Sequence, residues 1–570
     1  MKNKSKRFAI ISGIILIFPV LSFNQNIPVA GDKRMSGHHE VHDQKYLPYP
    51  SGPVRTSAAK TYNGTSIFTT QVNVDGNGQN ILGDAANEPS IAVDPSDPDH
   101  MVIGWRQFDN VNSNFRQAGY GFSEDAGQSW TFPGKIEAGI FRSDPVLESD
   151  TAGNFFYNSL TSDGVGYYCK VFKSIDGGAD WDQGADAHGG DKQWMAIDKT
   201  GGIGTGNIYS SWNSSFTSCS PGFFTRSTDA GASFEDCIEV DGNPYWGTMT
   251  VGTTGELYIA GAGASGGIIV AKSTTAQTPG SFIFWNFSSP VYMDGFLTYQ
   301  LSVNPAGLLG QASIDVDRSN GPGHGNVYVL ASVTRFSNSD PGDVMFAKST
   351  DGGLTWSNPK RINDDPGTNN YQWFGTMSVA PNGRIDVIWL DTRNEWPGSD
   401  LSSLYYSWSI DQGETWSANE KLSDSFDPHL GYPQQEKIGD YFDMESDLTS
   451  VHLAWANTFN GEQDVYYSHI VPQITGIGDD RKNPGQIALT CFPNPFTDQT
   501  AVQYGIASES FVNLAIFNMY GKEITTLVNK NQKAGTYTIY FADGLLPSGF
   551  YFCRLSAGTK TETTRLVKIK

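Results

Sequence analysis

An eight-residue motif recurs along the chain at a near-constant spacing: SEDAGQSW (123–130), SIDGGADW (174–181), STDAGASF (227–234), STDGGLTW (349–356) and SIDQGETW (409–416). Its aspartates, Asp125, Asp176, Asp229, Asp351 and Asp411, lie 51, 53, 122 and 60 residues apart. The long gap is about two periods, and GGIIVAKSTTAQTPGSFIFW (266–285) fills it with a degenerate copy that keeps the Ser and loses the Asp. A fixed period of this size requires a repeat architecture. Each copy follows an aromatic or β-branched segment such as YYCKVFK (167–173) or DVMFAK (343–348), so the motif is the turn after a strand. Its Asp and Ser oxygens suit backbone N–H groups, its Gly suits positive φ, and its last aromatic can anchor the next strand. These are structural duties, and the motif reads as scaffold.

A second series has the same period. Segments such as SIAVD (from 90), TMTVG (from 248) and TMSVA (from 376) each precede a hydrophobic partner such as HMVIGW (100–105), ELYIAGA (256–262) or RIDVIWL (384–390), and seven such pairs occur. Each unit is then strand, strand, strand, motif turn, strand. Arranged radially, such units close into a β-propeller that hides its sheet edges. The expected fold class is all-β: a propeller of seven four-stranded blades, six being the alternative, followed by a small Ig-like β-sandwich. The seventh unit stops after DVYYSHI (464–470), while SIFTTQVNV (66–74) has no blade of its own, so the latter is expected to supply the missing outer strand.

Composition fits: 63 Gly, 33 Phe, 25 Tyr and 14 Trp with 17% charged residues suit a turn-rich, aromatic β protein. A net charge of −22 argues against nucleic acid as a partner. Lys2, Lys4, Lys6 and Arg7 precede the apolar run FAIISGIILIFPVLSF (8–23), the layout of a secretory signal peptide over residues 1–26. The run is short for a membrane span and contains Pro19, so no permanent span is expected. A flexible tail is expected over 27–63. Among five cysteines, Cys219 and Cys237 flank one motif copy, Cys491 and Cys553 lie near the two ends of the C-terminal module, and Cys169 is left over. CxxC spacing is absent, and no metal site is expected.

The motif resembles the Asp-box, or BNR repeat, of the sialidase-like propellers, over residues 64–474. That resemblance implies that Asp125, Asp176, Asp229, Asp351 and Asp411 are structural. After a Pro-, Gly- and charge-rich linker (475–488), residues 489–570 closely resemble the type A C-terminal sorting domain of the type IX secretion system. The matching features are Pro493-Asn494-Pro495-Phe496, FNMYGKEI, Gly535-x-Tyr537, Gly549-x-Tyr551 and the basic end Lys568-Ile569-Lys570. This resemblance implies a route through the periplasm to the outer surface or the medium, with the type IX machinery as partner.

Propeller ligands bind at the mouth of the central channel, on loops that lead into the innermost strands or leave the second ones. The lead-in segments NEP (87–89), FRSDP (141–145), DKQW (191–194), NPYWG (243–247), YQWFG (371–375) and GDYFD (439–443), with WRQFD (105–109) and WLDTRN (389–394), are rich in polar and aromatic groups, which suits a sugar. By resemblance to sialidases, Arg106, Arg142 and Arg393 are candidates for binding a substrate carboxylate, with Trp194, Trp246 and Trp373 as further substrate contacts. Tyr441 is the candidate nucleophile, and Asp144 or Asp440 the acid/base. The sequence departs from that family in one respect: its Phe/Tyr-Arg-Ile-Pro motif belongs before the first Asp-box, whereas FRSDP follows it and carries an extra residue. HHEVHD (38–43), DPSDPD (94–99) and DVDRSNGPGHGN (315–326) read as a solvated segment and turns, and calcium is the one cofactor left open. The expected function is an exported sialidase-like propeller hydrolysing extracellular glycans; the alternative is a non-catalytic propeller that binds glycan or protein.

Overall fold

A computed structural model describes residues 45–49, 54–474 and 488–569, apart from residues 165, 216 and 265 and several turn positions between 493 and 559. The expected signal peptide, HHEVHD and the linker residues 475–487 lie outside the described residues. Seven antiparallel sheets follow one another, led by the innermost strands Ala85–Val93, Ser143–Ser149, Trp194–Ile197, Met249–Val251, Ser313–Val316, Gln372–Val379 and Asp443–Ser446. Each innermost strand contacts the next, and the seventh contacts the first, so the ring is closed. The third sheet has three strands, with a single bridge from Phe224 to Ile238 in place of the fourth.

The seventh sheet takes its outer strand from the other end of the propeller: Ile67–Gln71 pairs with Asp464–Ile470, Ile67 opposite Ile470 and Gln71 opposite Tyr466. Thr61–Asn63 adds outside it, and Thr56–Ala58 pairs with Gln79–Ile81. Strand structure thus begins before residue 64, within the segment expected as a tail, because an open sheet edge offers unpaired backbone groups to any adjacent chain.

The motif turns are alike. In the fourth full copy, Ser349 Oγ donates to Asp351 Oδ1 (2.7 Å) and accepts from Gly353 N (2.8 Å), while Thr355 N and Oγ1 donate to the two carboxylate oxygens (2.9 and 2.6 Å). These bonds hold the Asp351 carboxyl low, at about 2. The glycine at the fifth position of each turn packs on the preceding sheet. A Cβ at Gly127 would lie 2.2 Å from Tyr467, and one at Gly413 would lie 2.4 Å from Phe346. The motif is therefore the joint between successive blades as well as the turn within one.

The innermost strands are also stitched side chain to backbone. Leu147 N donates to Ser90 Oγ (2.9 Å), Ile314 N to Thr248 Oγ1 (3.0 Å), Val379 N to Asp315 Oδ2 (2.8 Å) and Ser446 N to Ser378 Oγ (3.0 Å). Cys219 and Cys237 form a disulfide, and Cys169 is a buried thiol.

The C-terminal module packs a three-stranded sheet (Ala488–Phe492, Gln499–Ile506, Gly535–Ala542) against a four-stranded one (Ser510–Asn518, Glu523–Gln532, Gly549–Ala557, Lys560–Lys568) around its own core. Asn494 pins the opening of the module to its last strand: its amide donates to Arg565 O (2.6 Å) and accepts from Val567 N (2.8 Å).

Candidate functional site

Within the first few residues of each innermost strand, or shortly before it, one residue has a left-handed backbone: Glu88 (φ 51°), Asp144 (44°), Lys192 (58°), Trp246 (56°), Gly310 (149°), Phe374 (55°) and Gly439 (113°). This seven-fold repeat of conformation turns the chain into the axis at the same level in every blade. Six of the seven lie in the lead-in segments singled out in the sequence; Gly310-Gln311 was missed there, because nothing in LLGQ is aromatic or charged. Position relative to the other six lead-ins was the signal that could have found it.

At this level the side chains form a buried ionic layer. Lys192 Nζ lies 2.6 Å from Asp440, 3.5 Å from Asp144 and 3.6 Å from Asp191. Lys437 Nζ lies 2.6 Å from Asp440 and 3.5 Å from Glu88, whose other oxygen is 2.9 Å from Arg106 Nε. All these side chains are at most 3% exposed. A hairpin of Tyr299–Leu301 and Asn304–Leu308, inserted between the fourth and fifth sheets, docks on it: Leu308 N donates to Asp440 Oδ1 (2.8 Å) and Asn304 Nδ2 to Gly439 O (2.8 Å).

The structure thus gathers Asp144, Asp440, Tyr441 and Arg106 in one place, but buried, where an open mouth was expected. Tyr441 is 3% exposed, and its hydroxyl donates to the Pro145 carbonyl at 2.6 Å. A carbonyl cannot take that proton. Burial, followed by the charges of Glu88 and Asp144, pushes the phenol well above its ordinary value, the reverse of what a nucleophile needs. Burial likewise holds the Glu88 carboxyl well above the carboxylate range, against the opposing pull of Arg106 and Lys437.

The other two arginines sit elsewhere. Arg142 pairs with Glu137 and lies over the Phe172 ring (5.0 Å), outboard on the second sheet. Arg393 pairs with Asp391 (2.8 Å) and Asp364 (2.5 Å) and lies over the Tyr405 ring (4.6 Å), outboard on the sixth. Three arginines therefore occupy three separate neighbourhoods. Trp246 is packed edge-on between Tyr245 and Tyr299 (5.1 and 5.6 Å), and Trp373 is buried with its Nε1 donating to Ser402 Oγ (3.1 Å).

Beyond the closed layer the axis widens into a cavity of about 560 Å³. Its walls are the innermost strands, and its rim carries the exposed residues Pro95, Pro98, Arg318 and Pro381. The rim belongs to the turns between first and second strands, so the opening faces the side opposite the expected mouth. Trp194, Tyr441 and Phe374 line the cavity, with Trp194 edge-on to Tyr441 at 5.3 Å. Of the sequence-derived site residues, Trp194 and Tyr441 are the two that line this space.

Carboxylates dominate the polar wall. Asp443 accepts from Ser90 Oγ (2.6 Å) and Ile91 N (3.2 Å), and Glu445 from Val93 N (3.3 Å). Burial is the main cause that raises both, to about 7, with neighbouring Glu148 adding to the shift. Lys199 lies 2.8 Å from Glu148, and Arg318 lies 2.8 Å from Asp315. Gln311 is 5% exposed, and among the described residues neither atom of its amide has a hydrogen-bond partner.

Among the described residues, the acid-rich turns spend their carboxylates locally. Asp94 and Asp317, in the two acid-rich turns, accept backbone N–H groups of their own turns, from Ser96 (2.8 Å) and Ser319 (2.9 Å). His188 lies near Cys219 and Cys237, but those sulfurs are spent in the disulfide.

Fold and site together define an axial-cavity β-propeller carrying a C-terminal address. Residues 490–570 match the family of secretion system C-terminal sorting domains. The chain is accordingly a type IX secretion substrate, released or displayed at the outer cell surface. A search of curated proteins finds no match to the sequence. Among solved structures, similarity extends to a protein of unknown function from Dyadobacter fermentans (13% identity, 73% of this chain and 100% of that one, TM-score 0.41). It extends also to PorZ, a surface component of the type IX secretion system of Porphyromonas gingivalis (14%, 90% and 66%, TM-score 0.38), and to Trypanosoma rangeli sialidase (10%, 90% and 89%, TM-score 0.36).

Proposed function

We infer that this exported chain is a glycan-binding propeller that takes its ligand in the axial cavity and does not run sialidase chemistry. One observation carries the reading: Asp144, Asp440 and Arg106 are committed to a capped ionic layer, while the open space lies on the other side of it and is lined by Trp194, Phe374 and Tyr441, whose hydroxyl is spent on the Pro145 carbonyl. Aromatic walls beside a few fixed polar groups are what a sugar-sized ligand requires. A hydrolytic reading is supported in one form only, through Asp443 and Glu445, whose raised carboxyls stand beside Glu148 and offer acid chemistry near neutral pH.

The test is incubation of the full chain with sialylated, uronic-acid, amino and neutral glycans, with mass spectrometry of the products and measurement of retained glycan. Retention of intact glycan, unaffected by Arg393→Ala, is the expected result. Release of a sugar that is abolished by Glu445→Gln would replace binding with hydrolysis. Release abolished by Arg393→Ala would restore the sialidase-type reading.

A further inference from the structure

We propose that the cavity selects a sugar bearing a free, protonated amine, with Gln311 reading its hydroxyl groups. The inference rests on the glycan reading above and adds the charge of the ligand. Two independent features of the wall lead to it.

The first is the Gln311 amide. A buried amide with both atoms unpaired carries a desolvation penalty that a satisfied one does not, and a ligand that supplies the missing partners removes it. Gln311 immediately follows the left-handed residue of its blade, so it stands at the closed end, beside the aromatic residues. An amide offers one acceptor and one donor side, and a sugar with neighbouring hydroxyls answers both.

The second is charge. The cavity wall carries six carboxylates (Asp94, Glu148, Asp315, Asp443, Glu445, Asp447) against two cations, Lys199 and Arg318, each already paired with one of them. Asp443 and Glu445 are held by hydroxyl and backbone N–H groups. An anionic sugar entering this space meets like charge, whereas an ammonium group gains the wall carboxylates, favours ionisation of the raised Asp443 and Glu445 carboxyls beside it, and gains the faces of the aromatic rings. The selectivity is therefore opposite to that of a site built for a sugar carboxylate. A volume of about 560 Å³ suits one or two sugar units.

The experiment is titration calorimetry of the full chain at about pH 6 with three probes: a glucosamine trisaccharide, its fully N-acetylated form, and sialyllactose. The amine-bearing trisaccharide is expected to bind at least about tenfold tighter than the acetylated one, the worth of one charge-assisted hydrogen bond, and sialyllactose to give no heat. Gln311→Leu and Glu445→Gln are each expected to weaken the amine ligand about tenfold with the thermal midpoint little changed. Should Glu445→Gln fail to fold, Gln311→Leu still decides, since the Gln311 side chain makes no hydrogen bond among the described residues. Equal affinity for the amine and acetylated ligands would overturn the charge selectivity and leave the glycan reading standing. Silence from all three probes, together with no retention in the glycan panel, would overturn both. Stoichiometric displacement of the amine by calcium chloride would reassign the carboxylates to a metal and overturn the proposal.

Discussion

Lys192 ties together carboxylates from the second, third and seventh sheets, and that single side chain shows what the sequence could and could not tell. That Asp144, Asp440, Tyr441 and Arg106 converge near the axis followed from their places in the repeat. That they are sealed there did not, because the sealing groups come from outside the repeat: Lys437 from a connecting loop and Asn304 and Leu308 from an inserted hairpin. Gln311 was invisible for the opposite reason, since it occupies a repeat position with an unremarked side chain. The layer's role can be measured. Removing one partner of a buried ion cluster leaves uncompensated charge and typically costs about 3–5 kcal/mol. Lys192→Met should therefore lower the unfolding free energy by about that amount in urea denaturation. Lys192→Met behaving like the native chain would show that the layer is wet and open. Tyr441→Phe loses one neutral hydrogen bond, to Pro145, and should cost only about 1 kcal/mol.

The Asp-box and the closing strand carry the argument at the level of elements, and both were legible because they are written in period and pattern rather than in tertiary contact. The strand–strand–strand–turn–strand unit, the degenerate copy at 266–285 and the completion of the seventh sheet by residues near 67 all follow from counting. The third sheet, which keeps only a bridge at Ile238, could not be counted in advance, since its fourth segment has no strand pattern to lose. Asp351 accepts from Ser349, Thr355 N and Thr355 Oγ1, so Asp351→Ala strips one turn of three bonds. A net cost of about 1–2 kcal/mol is expected for so exposed a group, with glycan retention unchanged. Asp351→Asn, which keeps acceptor capacity, should recover part of it. A loss of retention without loss of stability would give the motif a part in binding. Removal of residues 45–74 should act far more severely, since it strips the outer strand from the seventh sheet and exposes the edge of Asp464–Ile470. Loss of a single cooperative transition, or aggregation, is the expected calorimetric result.

At the scale of the whole molecule, the buried carboxyls set how stability varies with pH. Burial raises Asp443, Glu445 and Asp464 to about 7 and Asp340 to about 6. In the unfolded chain each titrates near 4. A raised carboxyl binds its proton more tightly when folded, so its contribution is fully present below about pH 4 and is lost as pH rises through about 7. Two sets of groups oppose this. Asp351, lowered to about 2 by its turn hydrogen bonds, and Asp447, lowered by His452 and backbone N–H groups against the penalty of burial, contribute above about pH 4 and fail as pH falls below it. His469, which burial lowers to about 4, contributes fully above about pH 6.5 and loses that contribution between 6.5 and 4. Over the interval from about pH 5 to 8 the four raised carboxyls outweigh one histidine. The thermal midpoint should therefore peak in mild acid, near about pH 5, fall by several degrees toward pH 8, and fall again below about pH 4. Asp443→Asn keeps the acceptor for Ser90 and Ile91 but removes the titration, so it should flatten the slope between pH 5 and 8. Scanning calorimetry of the native chain and this variant across that range checks both. A midpoint that climbs steadily to pH 8 would mean that the axial carboxyls are solvated and ionised in the folded protein rather than held protonated by burial.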